Sequence, residues 1–189
     1  MIRKSQLNLV SSSDSVLHTP PQAFDFNGDI DADMLANMMH DRMQELGGIG
    51  LSANQVGLNI RMFVMGFEDI KMAIFNPEIL EQEGETVQDE GCLSFPGIFV
   101  KVKRPETIKV KFYNVKGEER QEYITGMTAR IFLHEFDHML GKTMKERVSK
   151  LKWDLATKKY KHKKEKLVKK YTQKTLLDIN DQIKEHANT

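Results

Sequence analysis

A single cysteine, Cys92, among 189 residues excludes an internal disulfide and suits a reducing compartment. No apolar run approaches the roughly 20 residues that span a bilayer, so neither a membrane helix nor a membrane partner is expected. The opening Met1–Ile2–Arg3–Lys4 leads into Gln, Asn and Ser rather than an apolar stretch, and is not read as a signal peptide. No glycine or proline follows Gly141, so the C-terminal stretch reads as one long exposed helix rather than a flexible linker. What the chain has in excess is local positive charge. Between Lys145 and Lys170 twelve Lys or Arg face three acids, a surplus of nine in a protein whose net charge is +1. The body that precedes this tail is therefore mildly acidic. With 40% hydrophobic and 29% charged residues, the chain is read as one soluble globular domain with an appendage, long enough to bury a substantial core.

Residues 1–27 are polar and irregular, with Thr19–Pro20–Pro21 holding the backbone extended, and read as coil on the surface. Asp31 then reads as the N-cap of a helix in which Leu35, Met38, Met39, Arg42, Met43 and Leu46 recur at helical spacing until Gly47–Gly48 stops it. A methionine stripe at that period is ordinary core material. Ile60–Met65 and Met72–Phe75 read as short strands, Asn76–Pro77 as a break, and Glu78–Val87 as a further, more polar strand. Strands are also expected at Phe99–Lys103, Thr107–Asn114 and Glu118–Ile124; Ile108, Val110 and Phe112 alternate cleanly, and Val115–Lys116–Gly117 supplies a hairpin loop. Gly126–Leu140 reads as one helix, with Thr125 at its N-cap and Gly141 at its end.

That last helix carries Leu133–His134–Glu135–Phe136–Asp137–His138. Residues four apart on a helix share a face, so His134 and His138 can grip one divalent cation while Glu135 stands beside them to handle protons. A catalytic site of this kind takes a third protein ligand from elsewhere. Cys92, flanked by Gly91 and a turn, can approach a helix face without crowding and offers a soft thiolate, which makes it the candidate. Gly48–Ile49–Gly50–Leu51–Ser52–Ala53–Asn54–Gln55 reads as a snug turn whose glycines allow close backbone approach and which presents Gln55 to a pocket; no Lys–Ser/Thr follows to make it a phosphate loop. The expected fold is α+β, with antiparallel and mixed strands packed around the metal-binding helix, residues 1–144 forming the catalytic domain and 145–189 a basic helical C-terminal extension.

Here the chain resembles the peptide deformylases. The family's three signatures occur in order as Gly48 to Gln55, Glu90–Gly91–Cys92–Leu93–Ser94, and His134–Glu135–Phe136–Asp137–His138, with Arg104–Pro105 and Ala129–Arg130 as minor matches. The likeness spans about Gly47–Gly141. It implies an enzyme that hydrolyses the N-formyl group from the N-terminal formylmethionine of nascent polypeptides and releases formate. It further implies Cys92, His134 and His138 as ligands of one divalent ion, with Fe2+ physiological and Zn2+, Ni2+ or Co2+ able to substitute. Glu135 would be general base and then acid, and Gln55 with the backbone N–H of Leu93 would steady the oxyanion. Ile49, Gly50, Glu90, Gly91, Met127, Arg130 and Ile131 would border the substrate, although core packing explains Ile131 equally well. Glu90 and Arg104 could pair to brace the cysteine loop, and Asp137 could orient a histidine or cap the polar face.

Two positions depart from the pattern. Ser52 stands where the family usually has alanine and could add a hydrogen bond near the first signature; Leu133 replaces a supporting glutamine just before the first histidine, which puts the firmness of metal retention in question. A monomer is expected, in a bacterial cytoplasm or, for a eukaryotic source, an organelle. The basic tail suits ribosomal RNA phosphates, a C-terminal helix being associated with ribosome docking in bacterial relatives; a solvated lysine-rich helix with no partner is as good a reading. Two other functions stay open at this point. A His-Glu-x-x-His protease would need a different third ligand and gives no reason for the glycine loop, and an RNA-binding module with a dead metal site would not need an intact ligand set.

Overall fold

A computed structural model describes residues 7–67 and 70–187 and, for 67 and 170–187, the backbone alone. The chain divides into two compact units, Met1–Ser149 and Lys150–Thr189. In the first, residues 7–31 are mostly coil with one short 3-10 turn, Ser15–His18, and the first helix, α1, runs Ala32–Glu45 from an Asp31 side chain that accepts the Met34 N–H. Seven strands follow: β1 (Gly50–Ser52), β2 (Met62–Phe67), β3 (Ile70–Glu83), β4 (Thr86–Cys92), β5 (Phe95–Arg104), β6 (Thr107–Tyr113) and β7 (Glu119–Thr125). Helix α2 spans Gly126–Met139. The second unit is helix α3, Lys150–Ala187, whose lysines up to Lys169 and whose Leu151, Leu155, Leu167 and Val168 are exposed. Tyr171, expected on the thin apolar edge of this tail, lies outside the described side chains, as do residues 1–6 of the N-terminal coil.

The strands make a five-stranded antiparallel sheet in the order β1-β2-β3-β6-β7 and a separate hairpin of β4 and β5. Successive strand residues face opposite sides, and β2 uses both. Met62 and Val64 join Leu35, Met39 and Met43 of α1, while Phe63 and Met65 join Phe132, Leu133 and Phe136 of α2. The uninterrupted apolar run Met62–Met65 is thus the mark of a strand covered on both faces. On α2, Ala129, Phe132, Phe136 and Met139 form the stripe turned to the sheet. That leaves Ile131, His134, Glu135 and His138 on the adjoining face.

Two expectations need correcting. Asn76–Pro77 does not end a strand: β3 runs through it as one 14-residue strand, because the break is absorbed as a bulge. Asn76 takes a positive φ of 49° and its side chain both accepts from and donates to the Phe24 backbone, while Pro77, with no N–H to offer, sits at the register shift. Glu78–Val87 is not one strand either; Gly84, at φ 69°, turns the chain there, and β4 continues to Cys92 itself.

Candidate metal centre

The cysteine is delivered by the end of a strand and the histidines by a helix. β4 and β5 lose register between Gly91 and Cys92, so that Cys92 pairs with Phe95 across a tight turn. This irregularity carries the thiol to α2. Sγ of Cys92 lies 3.6 Å from Nε2 of His138, and the ligand atoms of Cys92, His134 and His138 all fall within 4.8 Å of one another. With metal–sulfur and metal–nitrogen bonds of about 2.3 and 2.1 Å, a tetrahedral ion separates sulfur from nitrogen by about 3.6 Å. The residues therefore fit a divalent cation by spacing as well as by donor type.

The histidines are held apart electrically. Burial would lower the pKa of His134, but its contacts with Cys92 and Glu90 more than offset that and raise it well above the ordinary value. Burial, with the charge on His134, pushes His138 well below. Nδ1 of His134 donates to Oε2 of Glu90 at 3.0 Å, which turns its other nitrogen towards the thiol. Nδ1 of His138 is buried with no partner.

Glu90 is the hub beneath this arrangement. Arg104 donates to it bidentately, from Nε to Oε1 at 2.6 Å and from Nη2 to Oε2 at 2.8 Å, and Arg130 adds a bond to Oε1 at 2.6 Å. Burial opposes ionisation here, yet the hydrogen bonds from His134 and Arg104 outweigh it and push the Glu90 carboxyl down to about 2. Arg104 also reaches Asp137 at 3.0 Å and the Leu133 carbonyl at 3.2 Å. The Glu90–Arg104 pair is thus fully interior rather than a surface brace. Asp137 binds Arg104 and Arg147 and no histidine. Arg130 borders the cavity, but its guanidinium is engaged by Glu90 and by the carbonyls of Val102 and Thr86.

The first signature packs against Glu135. A Cβ on Gly50 would meet the Glu135 carboxylate, with its Cγ at 2.9 Å, and one on Gly48 would meet Leu93 Cδ1 at 2.8 Å, so both glycines serve close approach. Glu135 is buried, and burial raises its pKa. Ser52 Oγ donates to its Oε2 at 2.6 Å. Gln55 accepts the Ser52 N–H on Oε1 at 2.9 Å, so its Nε2 faces Ser94 Oγ at 3.0 Å and Cys92 Sγ at 3.4 Å. Asn54 ties the same segment to α2 by donating to the His138 carbonyl at 2.8 Å. Leu133, the second departure, packs in the core beneath the sheet.

Gln55, Glu90, Cys92, Arg130, His134 and Glu135 line a cavity of about 640 Å³ that also takes in Ile49, Gly50, Gly91, Leu93, Met127 and Ile131. Its polar groups gather at one end and apolar side chains cover the rest, the form of a site for a chain with an apolar side group and one reactive amide. Leu9, Ile98 and Phe99 also form its walls, and no motif or spacing singled them out, while Ser94, the end of the second signature, had been given no role of its own.

Comparison with known proteins agrees with the geometry. The polypeptide deformylase family model matches residues 6–154. The chain belongs to the polypeptide deformylase family. A peptide deformylase of Thermotoga petrophila is 48% identical over 122 residues, covering 64% of this chain and 74% of that protein. One of Chromobacterium violaceum is 40% identical over 154 residues, covering 77% and 89%. The crystal structure of a peptide deformylase from Synechococcus elongatus in complex with actinonin superposes with a TM-score of 0.76 at 31% identity, covering 82% of this chain and 85% of that one. A deformylase is a hydrolase that removes the N-formyl group from nascent peptides, and the family implies a metal ion, for which Cys92, His134 and His138 form the candidate site among the described residues. The protease and RNA-module readings find no support.

Proposed function

We propose that this deformylase hydrolyses the formamide of N-terminal formylmethionine with Cys92, His134 and His138 holding one divalent ion and Glu135 moving the protons. The single observation that carries the assignment is the convergence of the thiol and both imidazoles, with their ligand atoms within 4.8 Å, beside a buried carboxylate. The ion would supply Lewis acidity, which acidifies water and polarises the formyl carbonyl. Fe2+ is the physiological choice in this reading, with Zn2+, Ni2+ or Co2+ able to replace it in a site of mixed thiolate and imidazole donors.

The protein's own groups account for the remaining steps. Glu135, against Gly50 and raised in pKa by burial, accepts a proton from the attacking water. Attack on the formyl carbon develops an oxyanion, which Gln55 Nε2 and the Leu93 backbone N–H steady; such donors are typically worth about 3–4 kcal/mol each. Glu135 then returns the proton to the departing amine, without which the C–N bond does not break. Ile49, Gly50, Gly91, Met127 and Ile131 border the methionyl residue, while Glu90 and Arg130 hold the wall in place through their mutual ion pair.

The test is formate release from a formyl-Met peptide under anaerobic, iron-loaded conditions. Glu135→Ala should keep its metal and lose turnover, whereas Cys92→Ala should lose the metal. Deformylation retained by the glutamate variant would refute the assignment. For the tail, we read the basic C-terminal extension as a ribosome-facing element in which the surplus of nine positive charges between Lys145 and Lys170 binds rRNA phosphates, on a chain that acts as a monomer in a bacterial cytoplasm or an organelle. Ribosome pelleting that falls steeply with added salt is expected. Equal pelleting by a chain ending near Lys145 would overturn it.

A further inference from the structure

Ser52 ends β1 and is fully buried, with both its hydroxyl and its backbone N–H turned to groups of the site. The hydroxyl donates to Glu135 Oε2 at 2.6 Å, the length of a charge-assisted bond, and lies 3.3 Å from the Glu135 carbonyl. The N–H donates to Gln55 Oε1 at 2.9 Å. An amide side chain bound through its oxygen must present its nitrogen elsewhere, so this bond decides which end of Gln55 faces Cys92 and Ser94. A buried carboxylate seated over Gly50 would otherwise have one oxygen as free to turn as the other.

We infer that Ser52 is a positioning residue that holds the proton-carrying carboxylate of Glu135 in one rotamer, with Oε2 engaged and Oε1 left to exchange protons, while its backbone orients Gln55. The inference rests on the roles proposed above for Glu135 and Gln55. Alanine, the residue the family resemblance leads one to expect at this position, would keep the N–H and therefore the Gln55 orientation, but would release the carboxylate. Ser52→Ala thus isolates the hydroxyl. A side chain that must strike a reacting proton loses rate when its direction is no longer fixed, while affinity for the methionyl side chain is untouched.

The experiment compares the full-length iron-loaded enzyme with Ser52→Ala and Ser52→Cys, measuring kcat, KM and metal per chain on one formyl-Met peptide, with crystal structures of the metal-free forms. For Ser52→Ala, kcat should fall about tenfold with KM changed less than about twofold. Metal content should equal that of the parent, and Glu135 should occupy more than one rotamer. Ser52→Cys, a weaker donor of similar size, should fall between the two. An unchanged kcat, a kcat that falls only in proportion to lost metal, or a Glu135 that keeps its single rotamer in Ser52→Ala overturns the role of Ser52 and leaves the wider assignment standing. A parent enzyme that releases no formate, or a Glu135→Gln variant as active as the parent, overturns that assignment and the role of Ser52 with it.

Discussion

Oε2 of Glu90 accepts the Nδ1 proton of His134 at 3.0 Å, so a side chain on β4 sets the direction of a candidate metal-binding ring on α2. The carboxylate is also the meeting point of Arg104 and Arg130, and the bonds from His134 and Arg104 keep it ionised. Glu90→Gln retains the shape but presents an amide where three charged or N–H donors converge. Metal affinity should fall about 10- to 100-fold, the usual cost of losing such an outer partner. Titration of the apoprotein with Zn2+ against a competing chelator measures it, and an unchanged affinity would show that His134 is oriented by something else.

Arg104 is 3% exposed and compensates both Glu90 and Asp137. Arg104→Met fills its volume but takes one cation from each of two interior carboxylates, leaving Glu90 to Arg130 and Asp137 to Arg147. Breaking a buried pair by removing one partner typically costs about 3–5 kcal/mol, and urea unfolding should show a loss of that order. Arg147→Ala, at a guanidinium more open to water, should cost less because Arg104 still serves Asp137.

Gly50→Ala tests close approach in the first signature. The new Cβ meets the carboxylate and Cγ of the Glu135 side chain and cannot be accommodated unless that side chain moves. Activity should drop about 100-fold, as a displacement of about 1 Å at a reacting group can cost, with the metal still bound. Retained activity would mean that Glu135 works from another position.

His40, on α1 and far in sequence from the metal helix, is pushed down to about 4 by burial, then by the charge of Lys71, against a weaker pull from Asp41. Its folded-state pKa lies below the unfolded value of 6.5, so the unfolded chain takes up the proton first as pH drops. The stability due to neutral His40 is therefore complete above 6.5 and erodes as pH falls from 6.5 towards 4. His40→Gln should unfold with a flatter pH dependence across that window, measured by denaturant midpoint; a parallel slope would show that other groups govern it.

Much of this molecule was legible before any coordinates. Helix α1 follows from its Asp31 cap and the period of Leu35, Met39 and Met43, and α2 from the two helical stripes that its fourteen residues carry. The three metal-ligand candidates were legible because donor chemistry is written in residue type. The strands around residues 76–92 were not. A proline after an asparagine looks like a stop, and only the tertiary bond from Asn76 to Phe24 turns it into a bulge. The polar stretch of β4 has no hydrophobic alternation to reveal it, since Val87, Gln88 and Asp89 are exposed and the buried Glu90 answers to Arg104 and Arg130 rather than to an apolar layer. The Gln55–Ser94 and Asp137–Arg147 bonds were invisible for the same reason: long-range polar pairing leaves no periodic trace.

Cys92 closes a hairpin that stands outside the main sheet, whereas both histidines ride on the helix that covers that sheet. An ion shared by the three would work like a rivet through two plates. Chelation should thus loosen the hairpin ahead of the rest of the body, and amide exchange there would serve as a gauge of metal loading that needs no substrate at all.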